Sequence, residues 1–387
     1  MRAHERLAMP EADGARAERG ARSPSGREAP LYAALDLGTN NCRLLIARPS
    51  RDGFRVVDSF SRIVRLGEGL SRTGNLASDA MDRAYEALAV CAERITRRGV
   101  DTRRVRAVAT QACRSADNGA SFLRRVGDGT GLDLRIIPPE EEARLSVQGC
   151  LNLFDPRARA VVVVDVGGGS TEVSWLQRVG ENGEGRFETV SWMSAPLGVV
   201  TLAERHPEPD PPTARWYDDM VEDMHARLAA HEGASSLRAL FDSGEAHLIG
   251  TSGAITSLAG VHLGLARYDR SLVDGLWMTR EECTRAADRL KALGPQGRAA
   301  EACIGAQRAD LVLAGAAILE AVQRAWPCER VRVADRGLRE EGRLRVLGDL
   351  GARFGLDRGR EQMKAVEAAR LCERASLGRE LRRRAHV

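Results

Sequence analysis

The 387-residue sequence lacks several features that mark common protein classes. No apolar run approaches the ~18 residues that a membrane-spanning helix needs, so we expect a soluble protein without a membrane segment. The eight cysteines form no CxxC pair and have no histidine cluster nearby. This spacing argues against a zinc site and for reduced thiols, as in the cytoplasm. Residues 1–30 have no apolar signal-peptide core and are expected to be a disordered leader.

The net charge of +4 is not evenly distributed along the chain. Residues 1–30 carry +1 and residues 351–387 carry +5, which leaves −2 for the middle of the chain. The charge therefore does not by itself indicate a nucleic-acid-binding protein. The Arg-rich C-terminal tail, with Arg382, Arg383 and Arg384, predicts either a weak contact with RNA or another polyanion or an ordinary solvated helix end.

Hydrophobic periodicity predicts an α/β protein with two domains. Near the N-terminus the order strand, strand, strand, helix, strand, helix, strand is expected, followed by a helix over 139–153. A strand, an Asp-x-Gly turn and a second strand occur first around Asp36 and again around Asp165, 129 residues later. This recurrence predicts a structural duplication. The predicted divisions are a leader (1–30), a first domain (31–157), a second domain (158–345) and a basic tail (346–387), with a hinge at 153–160.

Within the two domains the patterns predict individual elements. The strands are expected at 32–35, 42–47, 54–57, 105–109, 134–137, 160–164, 172–176, 187–193, 246–249 and 331–333. The helices are expected at 79–97, 118–126, 139–153, 199–205, 213–230, 279–293, 310–325 and 337–347, with one more directly after residue 254.

Three glycine-rich turns, each at the end of an apolar strand, are candidate phosphate-binding sites. They contain Asp36, Gly38, Thr39 and Asn40; Asp165, Gly167, Gly168, Gly169 and Ser170; and Gly250, Ser252 and Gly253. Glycine lets a phosphate group approach several backbone N–H groups closely, although a hairpin can need glycine for its turn alone. Asp36 and Asp165 follow buried strands and need a partner, for which Mg²⁺ or Mn²⁺ is suited when phosphates are present.

These turns and four further segments together resemble the exopolyphosphatase and guanosine pentaphosphate phosphohydrolase (Ppx/GppA) family. The resemblance implies two actin-like (ribonuclease H-like) domains with an active-site cleft between them. The matching segments are DLGTNNCRLLIA from Asp36, TQACRSADNGASFL from Thr110, EEEARL from Glu140, VVDVGGGSTEVSW from Val163, APLGVVTL from Ala195, IGTSGAITSLAG from Ile249 and ADRGLREEGRL from Ala334.

The resemblance also implies roles for individual residues. Glu142 would be the general base, with like-charge neighbours that raise its pKa, although an acidic first helical turn is also favourable without any catalytic role. Asp165 and Glu172, with Asp36, would hold Mg²⁺ or Mn²⁺. Arg114 would contact phosphate. The implied substrates are inorganic polyphosphate and guanosine pentaphosphate.

Two departures from the family pattern limit what the resemblance implies. Ile137-Pro138-Pro139 precedes three glutamates, so Glu140 or Glu141 remains an alternative base. The sequence also has no HD dipeptide after the last matching segment, so the C-terminal metal-dependent domain of longer members is not expected. The preferred length of a polyphosphate substrate and the formation of a homodimer do not follow from the sequence. The competing hypotheses are an actin-like kinase with an aspartate base and a non-catalytic nucleotide sensor associated with RNA.

Overall fold

The computed structural model describes residues 29–50, 53–180 and 185–335. The predicted helix at 337–347, the basic tail and all but the last two residues of the predicted leader lie outside these ranges. The strands of the described ranges are β1 (Tyr32–Leu37), β2 (Asn41–Ser50), β3 (Gly53–Ile63), β4 (Val105–Ala109), β5 (Leu134–Ile136), β6 (Ala160–Val166), β7 (Thr171–Val179), β8 (Arg186–Ala195), β9 (Ala246–Thr251), β10 (Trp277–Thr279) and β11 (Arg330–Ala334).

The helices alternate with these strands, and in the described ranges none is long and apolar enough to cross a membrane. They are α1 (Leu70–Thr73), α2 (Ser78–Arg97), α3 (Gln111–Ser115), α4 (Gly119–Thr130), α5 (Pro139–Cys150), α6 (Val199–Arg205), α7 (Ala214–Ala229), α8 (Arg238–Asp242), α9 (Gly253–His262), α10 (Arg270–Val273), α11 (Arg280–Ala300) and α12 (Val312–Ala325). Short 3₁₀ turns occur at Thr102–Arg104, Leu151–Leu153 and Ser235–Leu237.

The first sheet has the strand order β3-β2-β1-β4-β5. Strands β1, β4 and β5 run parallel, and β2 and β3 extend the sheet as an antiparallel meander. Alternate β1 residues, such as Leu35 and Leu37, point into one core because strand side chains alternate between faces. Leu88 and Cys91 of α2 fill the same core, one helical turn apart. The predicted apolar face of this helix is therefore buried.

The second sheet has the strand order β10-β11-β9-β6-β7-β8. Every residue of β6 is buried, as expected for a central strand that is covered on both faces. Val162 and Val164 face the larger core, which is formed with α6, α7, α9, α11 and α12. Val161 and Val163 face a smaller core, and α5 covers it with Val147 and Cys150. Helix α5 thus packs on the second sheet, whereas the predicted boundary after residue 157 stays a prediction.

The two hairpins β1–β2 and β6–β7 have the same construction. Gly38 N–H donates to the Asn41 carbonyl at 2.9 Å, and Gly167 N–H donates to the Ser170 carbonyl at the same distance. In the first hairpin Asp36 pairs with Arg43 across the strands. At the corresponding position of the second hairpin Asp165 pairs with Glu172. The two hairpins are equivalent in backbone but differ in the charge that faces the aspartate.

Some elements differ from the sequence prediction. Strand β3 continues to Ile63, six residues beyond the predicted end at 57, because it is an edge strand whose later residues, including Ser59 and Ser61, are polar. Helix α5 ends at Cys150, and the last three residues of the predicted helix, 151–153, form a 3₁₀ turn instead. The structure adds β10 and the short helices α1, α3, α8 and α10. These elements are too short for hydrophobic periodicity to reveal them.

Candidate active site

A cavity of about 850 Å³ lies between the hairpins of the two sheets. Its wall contains residues of all three glycine-rich turns and includes four of the predicted carboxylates: Asp36, Gly38, Thr39, Asn40, Glu142, Asp165, Gly167, Gly168, Gly169, Ser170, Glu172, Ser252 and Gly253. Gly250 instead lies inside β9, where it pairs with Val164. A Cβ there would lie 3.0 Å from Ile255 Cγ2, so this glycine makes room for the core. The predicted phosphate contact of Gly250 therefore has no support in this geometry.

The first two turns approach each other across the cavity. A Cβ on Gly168 would lie 2.9 Å from Thr39 Cβ and 3.0 Å from the backbone nitrogen of Asn40. A Cβ on Gly169 would lie 2.1 Å from Gln111 Oε1. Gly168 is thus required for close approach to the first turn and not for an unusual backbone angle, whereas a side chain at 169 would displace the Gln111 side chain.

Hydrogen bonds orient the peptide groups of both turns. Gly67 N–H donates to the Thr39 carbonyl at 3.0 Å, and Val199 and Val200 N–H donate to the Gly167 and Gly168 carbonyls at 2.9 and 2.8 Å. Because N–H and C=O point in opposite directions across a trans peptide, the N–H of the residue after each carbonyl faces away from these bonds. Backbone N–H groups arranged in this way form an anion-binding concavity.

Glu142 lies in the first turn of α5, after Pro138 and Pro139. The residue is only 6% exposed and lines the cavity. Glu140 is exposed to solvent, and Glu141 forms an ion pair with Arg106. Of the three consecutive glutamates, the structure therefore places Glu142 at the site.

Arg114 lies beside Glu142 and is not among the residues of the cavity wall. Its Nη1 donates to the Ile137 carbonyl at 2.8 Å and to Glu142 Oε2 at 3.4 Å. In this conformation the guanidinium group supports the glutamate and does not face the space between the turns.

Two serines that the sequence analysis missed hold the other carboxylates. Ser146 Oγ donates a short hydrogen bond to Asp165 Oδ2, and Ser194 Oγ donates to Glu172 Oε1 at 2.8 Å. Ser146 is 2% exposed and lies four residues after Glu142 on α5. Helical spacing could have identified it, because residues i and i+4 share one face. Ser194 lies opposite Glu172 on β8, and that pairing has no local sequence signal.

Burial raises the pKa values of the three carboxylates Glu142, Asp165 and Glu172, and neighbouring carboxylates raise two of them further. Burial, followed by the charge of Glu172, raises the pKa of Glu142 well above its usual value. Burial and the charge of Asp165 raise the pKa of Glu172 to about 7. Burial also raises the pKa of Asp165, against its hydrogen bond from Ser146 and the charge of Arg43. The predicted effect on Glu142 is present, but its cause is burial and carboxylates from other elements, not Glu140 and Glu141.

The described residues contain no preformed group of three or more His, Cys, Asp or Glu side chains that could hold a metal ion. Mg²⁺ often binds through only one or two carboxylates and takes its other ligands from substrate phosphates and water. Asp165 and Glu172 match this requirement, because they pair across a hairpin and line the same cavity. A cation there would also offset the burial that raises the pKa of both carboxylates and the repulsion of Glu172 by Asp165.

The third turn contributes a strained residue to the wall. Ser252 has a φ of 101°, a left-handed conformation that is uncommon for residues other than glycine. Its Oγ is buried and has no hydrogen-bond partner in the described part of the chain. Such strain occurs often at ligand sites. Arg43 and Arg308 supply positive charge to the same wall from opposite sides.

The chain is similar to a family of known phosphatases. Residues 45–349 match the model of the Ppx/GppA phosphatase family. Exopolyphosphatase 2 of Mycobacterium tuberculosis is 32% identical over 301 residues, which cover 76% of this chain and 89% of that protein. Guanosine-5'-triphosphate,3'-diphosphate pyrophosphatase of Vibrio atlanticus is 28% identical over 359 residues, or 89% of this chain and 68% of that protein.

The fold of the chain is also similar to solved structures of such proteins. The Ppx/GppA family member of Aquifex aeolicus matches with a TM-score of 0.65 and 28% identity, covering 83% of this chain and 98% of that one. An exopolyphosphatase from Cytophaga hutchinsonii matches with a TM-score of 0.69 and 25% identity, covering 82% of this chain and 98% of that one.

Proposed function

Because the chain belongs to the Ppx/GppA phosphatase family, we propose that it releases orthophosphate from the terminal phosphoanhydride bond of inorganic polyphosphate, guanosine pentaphosphate or both. The predicted two-domain actin-like fold is confirmed by the similarity to solved members of the family. The chain is therefore a hydrolase of this family. We propose its substrate and the roles of its catalytic residues below.

One observation carries the proposal, namely that both aspartate-led turns meet at one cavity that also contains Glu142. A Cβ at position 168 would lie 2.9 Å from Thr39 Cβ, so the turns are near enough to bind the same phosphate chain. The N–H groups of both turns, with Arg43 and Arg308, supply the positive potential that a polyanion requires.

The chemical step is an attack of water on the terminal phosphorus. Glu142 accepts a proton from the water as its oxygen bonds to phosphorus, and the bridging oxygen leaves with the shortened substrate. Charge that develops on the terminal phosphoryl oxygens is stabilised by the backbone N–H groups of Gly168 and Gly169. Arg114 keeps the Glu142 carboxylate oriented through its 3.4 Å hydrogen bond.

Asp165 and Glu172 would hold Mg²⁺ or Mn²⁺, with Asp36 as a third carboxylate of the same cavity. A bound divalent cation supplies charge neutralisation for the phosphoryl group. Ser146 and Ser194 orient the two carboxylates through the hydrogen bonds described above.

The test is an orthophosphate-release assay with purified protein and polyphosphate, guanosine pentaphosphate or ATP, with Mg²⁺, with Mn²⁺ and after chelation. We expect cation-dependent release from at least one of the first two substrates. Labelling of an acceptor by ATP would identify a kinase instead. Binding of guanine nucleotide without any phosphate release would identify a sensor and contradict the hydrolase proposal.

A further inference from the structure

Two contacts join the domains beside the cavity. Arg65, after β3, makes two 2.9 Å hydrogen bonds to the Asp310 carboxylate, before α12. On α6, Glu204 accepts from Gly69 N–H and from Ser71 Oγ, both at 2.7 Å. We refer to these five residues as the interdomain clasp.

On the first-domain side the clasp is bonded directly to the first phosphate-binding turn. The N–H groups of Val64 and Arg65 both donate to the Asn40 carbonyl, at 2.9 and 3.1 Å. Arg65 has a φ of 48°, in the left-handed region that non-glycine residues seldom occupy. The backbone thus adopts a costly conformation where the arginine binds the turn and reaches the other domain at the same time.

On the second-domain side the Glu204 half of the clasp is linked to the second turn through α6. Helix α6 carries Glu204 and begins at Val199. As described above, Val199 and Val200 donate to carbonyls of this turn. The Arg65 Nη2 also donates at 3.1 Å to the carbonyl of Gln307, which lines the cavity. Through Glu204, hydrogen bonds and the backbone of α6 therefore link one turn to the other. Arg65 and Asp310 link the first turn to the second-domain wall of the cavity.

We propose that Glu204 and Asp310 are positioning residues, which set the distance between the two turns and so align the phosphate chain with Glu142. This inference rests on the proposed hydrolase function. Neither carboxylate lines the catalytic cavity. Their effect is expected to pass through the turns, because misplacing reacting groups by ~1 Å can lower a rate ~100-fold.

The experiment compares Glu204→Ala and Asp310→Ala with a matched control, Glu222→Ala. Glu222 is also a second-domain glutamate, and it accepts a 3.0 Å hydrogen bond from Arg324 of the same domain. We expect each clasp variant to lower kcat by ~10- to 100-fold with a smaller change in KM. The control should retain kcat within about twofold.

A second measurement does not depend on activity. Hydrogen exchange of peptides that cover residues 62–72 should accelerate in both clasp variants and not in the control. Glu204→Ala removes the acceptor of the Gly69 N–H, and Asp310→Ala releases the Arg65 side chain that anchors this segment. Ser71→Ala, which removes only one hydrogen bond, provides a milder variant if Glu204→Ala fails to fold. Clasp variants with the kcat and exchange rates of the control would overturn the inference. Absence of phosphate release by the wild-type protein would contradict the proposed function and leave the exchange result to decide on the clasp.

Discussion

Replacing Glu142 with glutamine tests the proposed general base with little change in shape. The glutamine keeps an oxygen that can accept the hydrogen bond from Arg114, which is 3.4 Å long in the wild-type protein. It cannot take a proton from water at neutral pH. A positioned general base contributes roughly 10²- to 10⁴-fold to a rate, so we expect kcat to fall by about that factor while KM changes little.

The same substitution should stabilise the protein at neutral and alkaline pH. Burial and the charge of Glu172 raise the folded-state pKa of Glu142 above its ordinary value of 4.5. The folded state therefore holds the proton more tightly than the unfolded state, and stability falls as pH rises from about 4.5 toward the folded pKa. Glutamine removes this loss. A higher melting temperature is expected at pH 8, with a difference that shrinks toward pH 4.5.

The assay pairs orthophosphate release with thermal unfolding and uses Glu141→Gln as the control. Glu141 is adjacent in sequence, but it forms an ion pair with Arg106 outside the cavity wall. We expect the control to retain kcat within about twofold and to gain no stability. A Glu142→Gln protein with near wild-type turnover, or a control that loses equal activity, would refute the assignment of the base.

Three further predictions follow from buried groups and close contacts. Gly168→Ala should raise KM and lower kcat, so that kcat/KM falls by at least ~10-fold, because the new Cβ would lie 2.9 Å from Thr39 Cβ. Unchanged KM and kcat values in a steady-state assay would contradict this prediction. Glu172→Gln should stabilise the metal-free protein more at pH 8 than at pH 5 in thermal unfolding, because the pKa of Glu172 is raised to about 7 and its ionisation weakens the fold. Burial lowers the pKa of His247 to about 4, so the wild-type protein should lose stability as pH falls from 6.5 to 4. The stability of His247→Gln should depend less on pH in the same range, and the substitution also alters the hydrogen bond from Asp155 N–H.

Local sequence signals predicted the hairpins and most helices well. The strand at 160–164 and the glycine turn after it follow from adjacent residues, because the alternation of strand side chains and glycine's small size act over a few positions. The observed strand β6 covers Ala160–Val166, as the pattern indicates. The family resemblance added Glu142 and Glu172, and both line the cavity.

Contacts between distant segments were not predictable in this way. The pairing of Arg65 with Asp310 joins residues 245 positions apart, and no local pattern marks either one among so many charged residues. The pKa of Glu142 likewise depends on Glu172 and Asp165, which belong to β7 and β6. Arg114 was expected to contact phosphate, but its hydrogen bond to Glu142 depends on how α3 and α5 meet. Such properties arise only when separate elements pack together.

Arg43 and Glu172 occupy equivalent places in the two hairpins. Their opposite charges affect which hairpin binds the terminal phosphoryl group. If the two hairpins were identical, the end of a phosphate chain could be bound and cleaved equally well at either one. With the Arg43 guanidinium opposite Asp36 and the Glu172 carboxylate opposite Asp165, the two hairpins are no longer equivalent sites for the end of the chain. On our proposal, the terminal phosphoryl group is cleaved at the hairpin with two carboxylates, which would hold the divalent cation.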